Sequence, residues 1–281
     1  MKMRFWGTRG SIAVPGKDTT IYGGNTTCLE VTLTSGKTVI IDAGTGIRAL
    51  GEKLAEQKEH DDIYLLITHI HWDHILGFPF FNPIYNPSTR IHIDGNHNCL
   101  RGLKYTFENK MGDGFFPIKF SDLSARIEHL GKILKGPLII DDTVIDSIPL
   151  HHPQGGVGFR FSEGDKHLVF ITDNELRDDK WDERAMKEYT EFCEGADMLI
   201  HDSQYIPEEI TGRKGWGHSD YEAAFELAVR SEAKRLILFH HDPPRTDMQI
   251  TEIEGLCRGL AASQNSNLII EAAKENSQFE L

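Results

Sequence analysis

The sequence has few cysteines, no paired-cysteine motif and no long apolar run. Its 281 residues include four cysteines, at positions 28, 99, 193 and 257, and none forms a C-x-x-C pair. This spacing argues against a zinc ribbon or a disulfide framework and favours free thiols in a reducing compartment. No segment approaches the roughly 18 apolar residues of a membrane span, and the first residues lack the apolar core of a signal peptide. We therefore expect a cytoplasmic protein with no membrane partner.

Positive charge is also scarce. Lys and Arg number 30 against 43 Asp and Glu, and the formal net charge is −13. Because non-specific binding to nucleic acids depends on clustered Lys and Arg, this balance predicts that a nucleic-acid polymer is not the partner. A small anionic substrate attracted by metal ions stays compatible with it. With 39% hydrophobic residues and no linker or repeat, residues 1–281 are expected to form one α/β domain.

Short apolar runs recur along the chain, and several of them end in a histidine or an aspartate. Runs rich in Ile, Val, Leu and Phe are typical of buried strands. Six runs end in residues of this kind: Asp42, His69, His151 and His152, Asp173, His201 and Asp202, and His240 to Asp242. Ligands in layered α/β folds bind outside strand ends, so we expect these side chains to share one site.

Helices are predicted between the strands, over residues 46–57, 181–195 and 219–233. A fourth opens with Thr246 and Gln249, and Ser219 with Glu222 matches the S-x-x-E capping box that places a helix start at Ser219. Residues 78–136 carry several prolines and glycines. They predict an irregular wall or lid with one or two short helices.

The densest cluster of potential metal ligands is "THIHWDH", residues 68–74, which holds His69, His71, Asp73 and His74. Their spacing of two, two and one does not follow one face of a helix. It suits a strand that ends in a turn, so that the side chains point in two directions. Four such groups are costly to bury without an ion, and the segment therefore predicts a site for two metal ions. Isolated histidines carry no such expectation: His60, His92, His97, His129 and His167.

This segment resembles the H-x-H-x-D-H motif of the metallo-β-lactamase superfamily, and the resemblance runs from "FWGTRGS" to "FHHDP". It implies a four-layer αββα sandwich with the site at one edge. It implies two divalent ions, with zinc expected and manganese or iron also suited. The ligands implied are His69, His71, Asp73, His74, His152, Asp173 and His240. His151 and His241 adjoin two of them, and neighbours on a strand face opposite ways, so one ligand is expected from each pair, preferably His152 and His240.

Asp42 resembles a residue that orients a ligand, although a turn former before the first helix fits its position equally well. The stretch "KGWGHSDYEAA" resembles the histidine–serine motif of the phosphodiesterase and ribonuclease Z-like branch. It implies that His218 protonates the leaving group and that Asp202 orients His218, with Asp73 also serving catalysis. His218 precedes a predicted helix N-terminus, which favours an anion. Tyr205 and Trp216 flank the pair and either stack on a base or pack internally.

The expected function is a dinuclear-metal hydrolase that cleaves a phosphodiester bond, in a cyclic nucleotide or a related small molecule. A lactone or thioester hydrolase on the same fold is the first alternative, and it would not need His218. A nuclease of the transfer-RNA 3′-processing type and a metal-binding module without turnover are further alternatives. The resemblance also allows a homodimer.

Overall fold

The computed structural model describes residues 1–56, 62–96, 116–176 and 183–281. Its strands are Lys2–Gly7 (β1), Cys28–Thr32 (β2), Thr38–Ile41 (β3), Asp62–Ile67 (β4), Arg90–Gly95 (β5), Arg126–His129 (β6), Leu138–Ile140 (β7), Thr143–Pro149 (β8), Val157–Glu163 (β9), Lys166–Ile171 (β10), Met198–Asp202 (β11), Arg235–Phe239 (β12), Ile269–Ala272 (β13) and Gln278–Glu280 (β14). Its α-helices are Ile47–Glu56 (α1), Trp72–Ile75 (α2), Glu183–Cys193 (α3), Pro207–Ile210 (α4), Tyr221–Arg230 (α5) and Asp247–Ser263 (α6). Short 3-10 helices span Phe78–Phe80, Asn82–Tyr85 and Phe120–Asp122.

The strands form two seven-stranded sheets, and each sheet has one parallel half and one antiparallel half. The first has the order β14-β1-β2-β3-β4-β5-β6, and the second has the order β13-β12-β11-β10-β9-β8-β7. Pairing is parallel from β3 to β6 in the first sheet and from β10 to β13 in the second. It is antiparallel elsewhere in both sheets. Each sheet therefore brings the carboxyl ends of several neighbouring strands to one edge.

Side-chain alternation along the strands creates four layers. In β10, Leu168 and Phe170 belong to a buried cluster that also contains Phe5 and Leu29 of the first sheet, so this cluster lies between the sheets. Val169 and its alternating neighbours pack instead with residues of α3, α5 and α6. The outer face of the first sheet packs with α1 in the same way. This arrangement confirms the four-layer αββα sandwich predicted from the sequence.

Two predicted helix starts had different outcomes. Thr246 and Gln249 form the predicted capping box at the start of α6. The predicted start at Ser219 is wrong, because Asp220 caps α5 and accepts hydrogen bonds of 2.9 Å from the backbone N–H groups of Glu222 and Ala223. The Ser219 hydroxyl is engaged in a tertiary contact, donating to the Asn174 carbonyl at 2.6 Å. A long-range partner therefore displaced the local capping pattern.

The segment predicted to be an irregular wall contributes more order than expected. Residues 90–95 and 126–129 within it form β5 and β6 and complete the first sheet. Residues 97–115, with Cys99 and His97, lie outside the described residues, as do His60 and residues 181–182 of the second predicted helix. Cys28, Cys193 and Cys257 are buried free thiols. In the described ranges, none of the helices combines the length and apolar character needed to cross a bilayer.

We predict that Asp220→Ala lowers the free energy of unfolding by about 0.5–2 kcal/mol, because two backbone N–H groups at the start of α5 lose their acceptor. Asp220→Asn keeps a side-chain oxygen at the cap and is the matched control, with a smaller expected loss. Urea unfolding monitored by circular dichroism measures both. Equal losses in the two variants would contradict the capping role of Asp220.

Candidate metal centre

The side chains of the site follow directly after strands of both sheets. Asp42 and His69 follow β3 and β4, while Asp173 and His240 follow β10 and β12. Asp42, Asp173 and His240 have φ values of 61°, 50° and 61°, in the left-handed region that L-residues rarely occupy. Such strained backbone persists only where the surroundings enforce it, and it clusters at functional sites. Here it accompanies the turn of the chain out of each strand.

Three groups of potential ligand atoms share the Asp173 carboxylate, and two of them contain the seven residues predicted from the sequence. The ligand atoms of each group lie within 4.8 Å of one another. The first group is His69, His71, His152 and Asp173, and the second is Asp73, His74, Asp173 and His240. Asp173 Oδ2 lies 3.5 Å from His69 Nε2, and Asp173 Oδ1 lies 3.2 Å from His74 Nε2 and 3.1 Å from His240 Nε2. The structure thus brings together all seven residues proposed as ligands, with Asp173 shared.

The structure also separates the two adjacent histidine pairs. His152 lies in the first group, whereas His151 Nδ1 donates to the Glu175 carbonyl at 2.9 Å. His240 lies in the second group, whereas His241 Nε2 donates to the Ala273 carbonyl at 2.9 Å. In each pair the preferred residue faces the cluster and its neighbour is used to hold the backbone.

A surrounding set of hydrogen bonds orients the ligands. His74 Nδ1 donates to Asp42 Oδ2 at 2.7 Å, and Asp42 also accepts from the Thr68 backbone N–H, so the orienting role of Asp42 fits better than a turn-forming one. His240 Nδ1 donates to Gln204 Oε1 at 2.9 Å. Such bonds fix the tautomer of a ligand and leave its other nitrogen for an ion.

Sequence reasoning missed two members of this set. Gln204 stands two residues after β11, and Ser11 lies in the glycine-rich N-terminal segment, from which its backbone N–H donates to Asp73 Oδ2 at 2.7 Å. Only the position of Gln204 near a strand end offered a signal. A backbone donor such as Ser11 has none in the sequence.

The charges in the cluster depend strongly on one another. Burial alone would raise the pKa of Asp73 and Asp173, but the imidazoles of His74 and His240 outweigh it and hold both pKa values well below the usual range. Burial opposes charge on His74, yet Asp73 and Asp173 raise its pKa well above the ordinary value. Burial also lowers the pKa of His152 to about 4. The cluster therefore combines two anionic carboxylates and a neutral His152 imidazole with a His74 imidazole that holds a proton, and a metal ion would take the place of that proton.

The site fits divalent metal ions by its own geometry. The Nε2 atom of His69 is buried, and within the described part of the chain it has no hydrogen-bond partner. A buried polar atom without a partner is costly, and a cation between this nitrogen and the Asp173 carboxylate would satisfy it. Imidazole and carboxylate donors together suit zinc, manganese and iron.

A hydrogen-bonded histidine–aspartate pair, His218 and Asp202, adjoins the cluster. His218 Nδ1 donates to Asp202 Oδ2 at 2.8 Å and lies 3.9 Å from Asp173 Oδ2. Burial opposes charge on His218, but Asp202 and Asp173 outweigh it and raise the pKa of its imidazole to about 9. His218 thus carries a proton close to the metal ligands.

The loop before His218 is fixed by one buried carboxylate. Glu175 is 3% exposed and accepts hydrogen bonds of 2.9 Å from the backbone N–H groups of both Gly215 and Gly217. Gly217 has a φ of 89° and packs so closely on His152 that a Cβ there would lie 2.2 Å from the imidazole Cδ2. Glycine is therefore required at this position.

Comparisons with known proteins agree with this geometry. Residues 37–241 match the model of the β-lactamase superfamily domain, which covers more than half of the chain. The chain belongs to the β-lactamase superfamily. Membership in this superfamily, together with the ligand cluster, identifies a metal-dependent hydrolase.

The chain is also similar to individual proteins and to solved structures. The chain is 27% identical over 252 residues to ribonuclease Z of Thermococcus gammatolerans, covering 73% of this chain and 75% of that protein. The metallo-β-lactamase fold protein YhfI from Bacillus subtilis superposes with a TM-score of 0.70 at 17% identity, covering 100% of this chain and 98% of that one. A diphosphatase from the PhnP family superposes with a TM-score of 0.67 at 18% identity, covering 100% and 97%. At these identities the two structures show a shared fold.

We predict that His152→Ala and His240→Ala each lower the metal content of the purified protein, because each removes a side chain from one ligand group. His151→Ala and His241→Ala are the matched controls and should keep their metal, since those side chains face backbone carbonyls. Elemental analysis of protein purified without chelator measures the difference. Metal loss in the controls and retention in the first two variants would reverse the assignment.

We also predict that Gly217→Ala weakens metal affinity roughly 10–100-fold, in the range found when the support of a ligand is disturbed. Its Cβ would displace the His152 imidazole. Gly215→Ala is the matched control, because Gly215 also has a positive φ of 79° but a Cβ there would meet no described atom within 4 Å. Competition with a fluorescent chelator measures both affinities. Equal weakening in the two variants would assign the effect to backbone strain alone.

Proposed function

We propose that this protein hydrolyses phosphodiester bonds with two divalent ions, one in each ligand group, and that zinc is the physiological metal. The observation that carries the proposal is the His218–Asp202 pair beside the Asp173 carboxylate. A departing alkoxide is a poor leaving group, and a histidine that holds a proton beside the ligand cluster is placed to protonate it. Ribonuclease Z and the PhnP-family diphosphatase are both named for cleavage at phosphorus, which supports the same reaction class.

Each ligand group would hold one ion. His69, His71 and His152 would bind the first, Asp73, His74 and His240 the second, and Asp173 would contact both. When bound, such ions polarise a phosphoryl oxygen and lower the pKa of water. Asp42 and Gln204 keep His74 and His240 in the orientation that directs Nε2 into the site.

His218 supplies the proton in this proposal. Its Nδ1 is held by Asp202, so Nε2 is the atom that delivers the proton to the departing oxygen. A pKa raised to about 9 keeps the imidazole protonated at neutral pH before transfer. Bound cations would lower this pKa, because like charges disfavour the imidazolium, and would bring it nearer the range in which a general acid works best.

An RNA substrate is the second candidate. The relative from Thermococcus gammatolerans is a ribonuclease, and 73% of this chain aligns with it. The expectation that a nucleic-acid polymer is excluded by the acidic composition is therefore not supported. The clustered positive charge that RNA binding needs would have to come from a local surface, since the net charge is −13. A small phosphodiester remains our preferred substrate, and a cytoplasmic location and a homodimer remain predictions.

We predict that His218→Ala keeps its metal but loses roughly 10²–10⁴-fold in kcat on a cyclic nucleotide, the usual contribution of general-acid catalysis. The loss should be smaller on bis(p-nitrophenyl) phosphate, because p-nitrophenolate leaves without a proton. Asp202→Asn should follow the same trend more weakly, since Asp202 acts through His218.

The measurement is kcat for each variant on both substrates, with a lactone, a thioester and a precursor transfer RNA assayed alongside. Equal losses on the two phosphodiesters would remove His218 as the proton donor. Wild-type protein that opens the lactone or thioester and ignores every phosphodiester would assign the function to the first alternative. Preference for the precursor transfer RNA would favour the ribonuclease.

A further inference from the structure

A large aromatic side chain stands exposed beside the proposed proton donor. Trp216 is 59% exposed and lies two residues before His218. Two residues of extended chain span at most about 7 Å, so the indole and the imidazole are anchored within the length of one nucleotide. A nucleotide whose phosphate lies beside His218 is therefore long enough to bring its base to Trp216.

The backbone that carries Trp216 is held on both sides. The N–H groups of Gly215 and Gly217 both donate to the buried Glu175 carboxylate, and the Trp216 N–H donates to the Arg213 carbonyl at 3.1 Å. The Glu175 backbone is itself tied to His151, because its N–H donates to the His151 carbonyl at 3.0 Å and its carbonyl accepts from His151 Nδ1 at 2.9 Å. A side chain on backbone fixed in this way loses less entropy when a ligand covers it than one on a free loop.

The other aromatic expected near the catalytic pair is not accessible. Tyr205 is 2% exposed, its ring centroid lies 5.8 Å from that of His218, and the Arg213 guanidinium lies 4.5 Å from the Tyr205 ring centroid. Tyr205 therefore packs internally, and the alternative of base stacking fails for it. Trp216 is the member of the pair that offers a free face.

We propose that Trp216 is a stacking surface for the nucleobase of a nucleotide phosphodiester, with the phosphate at the metal centre and His218 between them. The inference rests on the proposed function and specifies its substrate class. A flat aromatic face recognises any base by stacking, because every base has a π-face. A substrate without a planar group would leave this face uncovered.

A second exposed tryptophan, Trp72, is the alternative stacking surface near the site. Trp72 is 64% exposed and stands between His71 and Asp73, on the side of the site built by the first sheet. Its support differs, because Trp72 begins the four-residue helix α2, whereas Trp216 lies between two glycines that donate to the buried Glu175 carboxylate. The doubly held loop favours Trp216 as the base-binding surface.

The test compares binding of adenosine 5′-monophosphate and ribose 5-phosphate to the metal-loaded protein by equilibrium dialysis. Trp216→Ala should weaken adenosine 5′-monophosphate binding by roughly 5- to 150-fold, the range for removing one base–aromatic stack, and leave ribose 5-phosphate binding unchanged. Trp216→Phe should recover most of the affinity. Ile139→Ala is the control for truncation of an exposed apolar side chain, since Ile139 is 64% exposed on the edge strand β7.

Several outcomes would overturn the inference. These are an unchanged affinity in Trp216→Ala, equal weakening for both ligands, wild-type protein that binds both ligands equally, and a base-dependent loss in Trp72→Ala in place of Trp216→Ala. Turnover separates this result from the proposed function. Wild-type protein that hydrolyses phosphodiesters without a preference for a base would end the stacking proposal alone, and protein that hydrolyses none would end the proposed function.

Discussion

The Asp173 carboxylate is the group around which the rest of the site is arranged. It is 1% exposed and lies within 4.0 Å of the imidazoles of His69, His74, His152, His218 and His240. A buried carboxylate is unfavourable unless neighbouring groups or ions compensate its charge. This requirement explains why imidazoles from both sheets converge on one carboxylate just after the end of β10.

The core that holds the sheets together also sets the positions of the ligands. Phe170 and Phe239 pack between the sheets with ring centroids 5.3 Å apart, and the chain leaves their strands a few residues later at Asp173 and His240. Displacing either ligand would therefore disturb close-packed apolar side chains. Such preorganisation suits chemistry that depends on charges held in fixed positions.

Local patterns predicted the elements and the chemistry well where one segment contains the whole signal. The spacing of residues 69–74 and the strand-end aspartates needed no knowledge of distant contacts. Prediction failed where a distant partner intervened, as at Ser219, whose hydroxyl binds a carbonyl 45 residues away and leaves the cap to Asp220. The role of Glu175 was not predicted for the same reason. Its function as the acceptor for the Gly215 and Gly217 N–H groups depends on a contact about 40 residues away in the chain.

The sequence by itself determined the clustering of histidines and aspartates at strand ends, the alternation of strands and helices, and the acidic composition, because residue type and short-range periodicity are local properties. Tertiary structure alone decided which of two adjacent histidines faces the Asp173 carboxylate, that Asp42 hydrogen-bonds to His74, and that Trp216 is exposed while Tyr205 is buried. Each of these outcomes depends on strand pairing and on contacts between residues far apart in the chain. The energies that choose among such contacts arise only when the two sheets have packed.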